Sequence, residues 1–194
     1  MSMMITTDDL NQEDWSLFKY FDKLKEEFPK FRLIAFFTPF WQQKEVDFDF
    51  SNPGACFKSS FLNFLKERKD WLLLGAHGLY HLKTSPDCYS PDQEIMFSIL
   101  RVIWDFLESE GIRAMPYFKP PFYRFRESSL TFARKYGFRY FFFHYGVIDL
   151  QDWKICSRES LNLIDSHVSQ GCPMPDRIDL IYESLRKKLK DYYE

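Results

Sequence analysis

Four groups of polar residues follow apolar stretches of the sequence and are of types that could do chemistry together. They are Asp8-Asp9, the pair His77 and His81 in a His-x-x-x-His spacing, Lys119 before Pro120-Pro121-Phe122, and Asp165-Ser166-His167. Neutral imidazole is a common ligand of transition metals, and carboxylates also bind them. Two histidines and one aspartate make a three-ligand site with open positions, which is typical of catalytic rather than structural metal centres.

The chemistry expected of such a site is hydrolysis of an amide or ester. A bound divalent cation lowers the pKa of its water ligand to about 7. A nearby carboxylate can then take the proton, and the hydroxide attacks a carbonyl carbon. A second carboxylate and a third histidine remain in the sequence to act as base and acid.

Each group taken alone also has an ordinary structural explanation. An aspartate pair before a helix is usually a cap, and isolated histidine pairs occur by chance. Lys119 could be a surface cation, and His167 a structural histidine, as we expect for His144 within the run FFFHY. The metal interpretation is favoured because the groups occur together, each after a predicted strand.

Alternating strands and helices are predicted to position these groups. The hydrophobic periodicity and the capping residues predict the following elements. Strands are expected over 3–7, 31–38, 71–76, 113–118, 138–145 and 161–168, and helices over 11–28, 58–69, 90–110, 126–136 and 175–192. This order predicts an α/β fold with a mainly parallel sheet, either a small incomplete barrel or an open doubly wound sheet. Both architectures gather active groups at the carboxyl ends of strands.

Length and composition limit the class of protein. A chain of 194 residues predicts a single domain over 1–194. The net charge of −2 argues against a nucleic-acid partner. The longest apolar runs are far below the ~20 residues of a transmembrane helix. Because the first residues lack the basic and apolar segments of a secretion signal, we expect a cytoplasmic protein.

The order of the motifs resembles the polysaccharide deacetylase family of carbohydrate esterases (carbohydrate esterase family 4, the NodB homology domain). The resemblance extends from Thr6 to Val168 and implies a distorted, incomplete (β/α) barrel of about six to seven mainly parallel strands with outer helices. Its five motifs correspond here to Thr6-Thr7-Asp8-Asp9, His77 with His81, Lys119-Pro120-Pro121-Phe122, Asp149-Leu150-Gln151-Asp152-Trp153, and Ile164-Asp165-Ser166-His167.

The resemblance also implies a role for each site residue. Asp8 would be the general base, Lys119 would orient it, and His167 would be the general acid. The metal ligands would be Asp9, His77 and His81, and the substrate-binding aromatics Phe122, Tyr123 and Trp153. Asp149 and Asp165 would tune the acid; Asp165, which stands in place of the usual leucine, would do so by bonding the imidazole of His167. Other departures from the family pattern are Leu10 for glycine, Gly78 for serine or threonine, and Lys119 for arginine.

The function implied is a metal-dependent hydrolase that removes the N-acetyl group of an N-acetylated sugar, with a metal-bound water as the nucleophile. Zn²⁺ is the expected cofactor, with Co²⁺, Ni²⁺ or Mn²⁺ as alternatives. Two other functions stay open. One is an oligosaccharide deacetylase of the YdjC type, which has a similar Asp-His-His site. The other is a relative of the same fold that has lost catalysis and binds carbohydrate.

Overall fold

The computed structural model describes residues 4–41, 47–81, 92–161, 163–166 and 178–193. The helices are α1 (Phe18–Glu27), α2 (Ser59–Glu67), α3 (Gln93–Ser109), α4 (Glu127–Lys135) and α5 (Ile178–Tyr193). The strands are β1 (Met4–Leu10), β2 (Arg32–Phe37), β3 (Phe40–Trp41), β4 (Leu72–Ala76), β5 (Tyr80–His81), β6 (Ala114–Phe118), β7 (Tyr140–Phe143), β8 (Gly146–Asp149), β9 (Lys154–Cys156) and β10 (Leu163–Asp165). None of these helices has the length and apolar character needed to cross a membrane.

The strands form a curled sheet that makes an incomplete barrel. Within the described residues the sheet has eight strands in the order β10-β1-β2-β4-β6-β7-β8-β9. The first six of these run parallel to one another, and β7, β8 and β9 form an antiparallel meander. The strands β3 and β5 make a separate parallel pair. The predicted α/β class and distorted incomplete barrel are therefore confirmed.

The central strands are apolar along their whole length because both faces of the sheet are covered. In β2, Leu33, Ala35 and Phe37 belong to the large cluster that the sheet forms with the outer helices. The alternate residues Ile34 and Phe36 belong to a smaller cluster on the other face, together with Leu73, Phe142, Val147 and Leu163. Because side chains alternate between the two faces of a strand, one continuous apolar run contributes residues to both clusters.

The prediction of one strand over 138–145 was wrong at its carboxyl end. β7 ends at Phe143, and His144 and Tyr145 form an exposed turn into β8. Phe143 pairs with Gly146 across this hairpin. A Cβ on Gly146 would lie 2.7 Å from the carbonyl oxygen of Cys156, so a glycine is needed for β9 to pack beside the turn. His144 is therefore a turn residue and not a buried structural histidine.

Candidate metal centre

The candidate site lies where the carboxyl ends of β1, β4 and β6 meet. Asp8 and Asp9 are near the end of β1, while His77 and Lys119 directly follow β4 and β6. The His77 N–H donates to the carbonyl of Phe37 at 2.9 Å, and the Lys119 N–H donates to that of Ala76 at 2.9 Å. Each residue thus continues the backbone ladder of the sheet by one step, which fixes its position.

The backbone of Asp9 explains how two consecutive aspartates reach the same site. Neighbouring residues of a regular strand point to opposite faces of the sheet. Here the register between β1 and β2 shifts between Thr7 and Leu10, and Asp9 is in the left-handed region at φ +60°. Asn11 holds this turn, because its Nδ2 donates to the Asp9 carbonyl at 3.0 Å.

Three side chains form a cluster suited to a divalent cation. Asp9 Oδ1 lies 3.3 Å from His77 Nε2 and 3.2 Å from His81 Nε2. One ligand atom from each of the three residues lies within 4.8 Å of the other two. Ligands about 2.0–2.2 Å from a tetrahedral Zn²⁺ are ~3.4 Å apart. The donor types and two of the separations therefore fit a cation of this kind.

A backbone carbonyl sets the orientation of the first imidazole. His77 Nδ1 lies 2.8 Å from the carbonyl oxygen of Lys119. Because a carbonyl only accepts, Nδ1 must carry the proton, which leaves the lone pair of Nε2 directed at Asp9 and the cation site. Such outer contacts of ligating histidines fix the tautomer and the ring orientation.

His81 reaches the cluster from a short strand and not from a helical turn, although two histidines four residues apart would share one face of a helix. Gly78 has φ +76°, a conformation that suits glycine. The chain then enters β5, in which His81 pairs with Trp41 of β3. The ring centroids of His77 and His81 are 5.3 Å apart. Trp41 and Phe122 flank the His81 ring at 4.8 and 4.9 Å.

The two imidazoles have opposite pKa shifts. Burial is the largest influence on His77 and lowers its pKa, but the contact with Asp9 and the negative charges of Asp8 and Asp9 outweigh it, so the pKa of His77 is raised. For His81, burial and the neighbouring His77 lower the pKa. His81 is thus held as the neutral imidazole that binds metals, whereas at His77 protons compete with a cation.

A buried ion pair stands beside the cluster. Lys119 Nζ lies 2.8 Å from Asp8 Oδ2, with side chains only 1% and 9% exposed. Asp8 Oδ1 is also buried and has no hydrogen-bond partner among the described residues. Lys119 is therefore not a surface cation, and one oxygen of Asp8 is held while the other stays open to accept a proton.

Phe122 and Tyr123 lie at the same edge, in a turn that follows β6. Both have left-handed backbones, at φ +54° and +55°. Phe122 contacts His81, as described above, and the ring of Tyr123 lies 4.9 Å from Lys119 Nζ. The structure thus brings both predicted aromatics to the candidate site.

β10 leads towards the same edge. Asp165 pairs with Thr6 of β1, and the N–H of Ser166 donates to the Thr6 carbonyl at 2.8 Å. Ser166 is buried. His167, the predicted general acid, lies outside the described residues, and only the backbone position of Asp165 is described.

Asp149 and Trp153 lie at the opposite end of the sheet. β8 runs antiparallel to β7, so Asp149 pairs with Tyr140, the first residue of β7, while the other predicted site residues lie at carboxyl ends of parallel strands. Asp149 accepts hydrogen bonds from Arg139, and the Trp153 ring packs against Arg134 of α4, 5.5 Å away. The structure therefore does not bring these two residues to the candidate site, because the unpredicted hairpin reverses the chain before it reaches them.

Three residues at the site were not among the predicted ones. Asn11 follows the aspartate pair, where a side chain able to close a turn is a recognisable signal. Trp41 and Arg158 have no comparable signal, because Trp41 reaches His81 through the short pair β3–β5 and Arg158 reaches Tyr123 from a connection far along the chain.

Comparison with known proteins identifies the fold. No family model and no curated protein matches the sequence. Among solved structures, a family 4 acetyl xylan esterase from Clostridium thermocellum, in complex with a cobalt ion, matches with a TM-score of 0.54 and 14% identity over 95% of this chain and 83% of its own. A family 4 carbohydrate esterase from Streptomyces lividans, in complex with acetate, matches with a TM-score of 0.50 and 16% identity over 96% of this chain and 88% of its own. The chain therefore has the fold of the family 4 carbohydrate esterases, the fold that its motifs imply.

Proposed function

We propose that this protein is a metal-dependent carbohydrate deacetylase that removes the acetyl group from an N-acetylated sugar. The observation that carries the proposal is the juxtaposition of two buried groups. The cluster of Asp9, His77 and His81 provides ligands for a divalent cation, and the Asp8–Lys119 pair provides an oriented carboxylate beside it. A metal site with an adjacent carboxylate is an arrangement suited to metal-assisted hydrolysis of an acyl group.

The three ligand side chains would hold Zn²⁺ or another divalent ion that accepts nitrogen and oxygen ligands. When bound, the cation would polarise the acetyl carbonyl and a water molecule. The open oxygen of Asp8 would accept the proton of the attacking water while Lys119 keeps the other oxygen fixed. The backbone N–H of Phe122 would donate to the developing oxyanion, a contribution of roughly 3 kcal/mol for a well-placed donor.

We assign the general acid to His167, which would protonate the departing amine. The support for this role is the direction of β10. Ser166 binds the backbone of Thr6 in β1, the strand that ends in Asp8 and Asp9. Ser166, the residue before His167 in the sequence, is thus anchored on the strand that carries the base and a metal ligand.

Removal of an O-acetyl group from a carbohydrate is a second candidate function. It is favoured by the likeness to an acetyl xylan esterase. The same base and oxyanion contacts would serve an ester, whose alkoxide leaving group is less dependent on an acid than an amine is. Loss of catalysis is disfavoured, because Lys119 is paired with Asp8, and both His77 and His81 lie beside Asp9.

The test is acetate release by the Zn²⁺- and Co²⁺-loaded protein from N-acetylglucosamine oligomers and from acetylated xylan, together with metal analysis. Asp8→Asn should keep the metal and lose about 10²-fold or more in kcat, since general base catalysis contributes this much. His77→Ala should lose both metal and activity. The exposed Asp191 of α5 provides the control Asp191→Asn, which should match the parent. Metal-loaded protein that binds these sugars and releases no acetate would instead support a binding protein.

A further inference from the structure

Arg158 lies in the connection from β9 to β10, the two end strands of the eight-stranded sheet. Its backbone carbonyl accepts hydrogen bonds from the N–H groups of Leu161 at 3.1 Å and of Leu163 at 3.0 Å. Because Leu163 is the first residue of β10, these bonds fix the backbone of Arg158 where that strand begins.

The half-buried side chain of Arg158 joins two segments at the carboxyl edge of the sheet. Its Nη2 donates to the carbonyl of Phe143, the last residue of β7, at 2.8 Å and to the hydroxyl of Tyr123 at 3.2 Å. The centre of the guanidinium also lies 5.5 Å from the centroid of the Tyr123 ring. Because the planar guanidinium presents several donors in fixed directions, one side chain binds both β7 and the turn after β6.

The turn after β6, Pro121–Tyr123, has an unfavourable backbone. Phe122 and Tyr123 are consecutive residues at φ +54° and +55°, in the left-handed region that residues with a Cβ rarely adopt. The N–H groups of Tyr123 and Arg124 close the turn by donating to the carbonyls of the two prolines before Phe122, at 3.0 and 3.1 Å. Residues persist in such conformations where the surrounding structure holds them. The contact with Arg158 is a hold of this kind.

We propose that Arg158 is a positioning residue for the deacetylation, which holds this turn in the conformation that presents the Phe122 N–H to the oxyanion. The inference rests on the proposed function, which assigns that N–H to the oxyanion. Arg158 acts through Tyr123, whose ring lies 4.9 Å from Lys119 Nζ. A donor that is held in place before the reaction stabilises the transition state without having to reorganise.

Amide hydrogen exchange tests the hold on the turn without relying on metal or activity. Exchange is followed residue by residue by NMR in the parent and in Arg158→Met, which keeps an unbranched side chain and removes its donors. The amides of Tyr123 and Arg124, which close the turn, should exchange about tenfold faster in the variant, because the turn opens more easily. The Lys119 amide, which donates to Ala76 in the sheet, should exchange at the parent rate.

Two further variants relate this effect to the contact with Tyr123. Tyr123→Phe keeps the ring and removes the hydroxyl that accepts from Arg158, so it should speed the same exchange by less than Arg158→Met does, since the bond to Phe143 remains. The double variant should exchange little faster than Arg158→Met alone, because both changes break the same contact. Arg158→Lys keeps a charged donor and should lie between the parent and Arg158→Met.

Turnover is measured with saturating Zn²⁺ on the substrate that the parent hydrolyses, whether N-acetylglucosamine oligomers or acetylated xylan. Arg158→Met should lower kcat about tenfold and change KM less than about twofold, because an oxyanion donor acts only in the transition state. Arg158→Lys should recover part of kcat.

Arg68 provides the matched control. It is also half-buried, and it contacts a carboxylate and an aromatic ring, those of Asp22 and Phe64, between α1 and the end of α2. Arg68→Met should lower the unfolding temperature but leave kcat and the exchange of the turn amides relative to Lys119 as in the parent.

The possible results separate this inference from the proposed function. If the turn amides of Arg158→Met exchange at the parent rate, Arg158 does not hold the turn and the inference is wrong. If they exchange faster but kcat is unchanged, or the loss is in KM, the turn does not position the oxyanion donor and the inference is also wrong. If they exchange faster and the parent releases no acetate, Arg158 holds the turn as inferred and it is the proposed reaction that is wrong.

Discussion

At the scale of single residues, the candidate site depends on how the two oxygens of Asp8 differ. Lys119 contacts Oδ2, and Oδ1 has no hydrogen-bond partner in the described part of the chain. An arginine can donate to both oxygens of a carboxylate through its planar guanidinium. It would therefore also occupy Oδ1, the oxygen that we propose accepts the proton of the attacking water. Lys119 instead contacts Oδ2, which leaves Oδ1 to accept the proton of the attacking water.

Replacing Lys119 by methionine should destabilise the protein, because Asp8 would remain as a buried charge without its partner. Removing one member of a buried ion pair costs about 3–5 kcal/mol. We expect a loss of this size in the free energy of unfolding, measured with urea, together with a fall in kcat. The exposed Lys154 of β9 provides the control Lys154→Met, which should change stability little.

The double variant Lys119→Met with Asp8→Asn should recover part of this loss, since the buried charge is then removed as well. If Lys119→Met costs no more than Lys154→Met does, the ion pair does not have the energetic role that its burial indicates.

At the scale of elements, the turn from β4 into β5 decides whether His81 reaches the cluster. Gly78 and Gly111 both have φ +76°, but only Gly78 lies between two proposed ligands. Alanine in this conformation costs about 1 kcal/mol or more, so Gly78→Ala and Gly111→Ala should both lower the free energy of unfolding.

Only Gly78→Ala should weaken metal binding, by about tenfold, because a change of backbone angle there moves His81 away from Asp9. Gly111→Ala is the matched control, since an added Cβ there meets no atom within 4 Å. Zn²⁺ affinity is measured by competition with a chelator. Equal affinities in the two variants would show that the turn at Gly78 does not position His81.

The second element that matters is the hairpin β8–β9, which contains Asp149. Burial raises the pKa of Asp149, but hydrogen bonds from Arg139 and from the Gln151 N–H outweigh it, and the pKa is lowered overall. A carboxyl group whose pKa is lower in the folded state stabilises the protein above its unfolded pKa of about 3.9. That stabilisation is lost as the pH falls through the lower, folded value.

Asp149→Ala should therefore reduce the free energy of unfolding at neutral pH by about 1–2 kcal/mol, from the loss of charged hydrogen bonds. The difference from the parent should shrink as the pH falls below about 4. Its kcat should match that of the parent, because Asp149 lies at the far end of the sheet. A large fall in kcat would instead favour the tuning role that the motif resemblance implies.

At the scale of the whole molecule, the parallel strands were the predictable part of the fold. Each strand of the α/β core is a short apolar run with a clear end, such as Pro39 after β2, and the polar residues after those runs necessarily share one edge. The hairpin at His144 was not predictable from periodicity, because the run FFFHY continues aromatic through the turn. The described site residues on parallel strands were therefore brought together, whereas Asp149 and Trp153, beyond that turn, were not.

The proposed cation would cross-link three elements that are separate in the chain. Its ligands come from β1, from the end of β4 and from β5. A ligand that binds only the folded state stabilises it, by about 4 kcal/mol when present at a thousandfold excess over its dissociation constant. Zn²⁺ should therefore raise the unfolding temperature of chelator-treated protein.

The Zn²⁺-dependent rise in unfolding temperature should diminish on acidification, because protons compete for the imidazole nitrogens that bind the metal. The raised pKa of His77 means that the competition begins at a higher pH than the ordinary histidine value of about 6.5. Thermal unfolding with Zn²⁺ or with a chelator, between about pH 8 and pH 5, measures the effect. Asp9→Ala should show no Zn²⁺-dependent rise at any pH; a rise equal to that of the parent would mean that the cation binds elsewhere and that the cluster at the end of β1 is not its site.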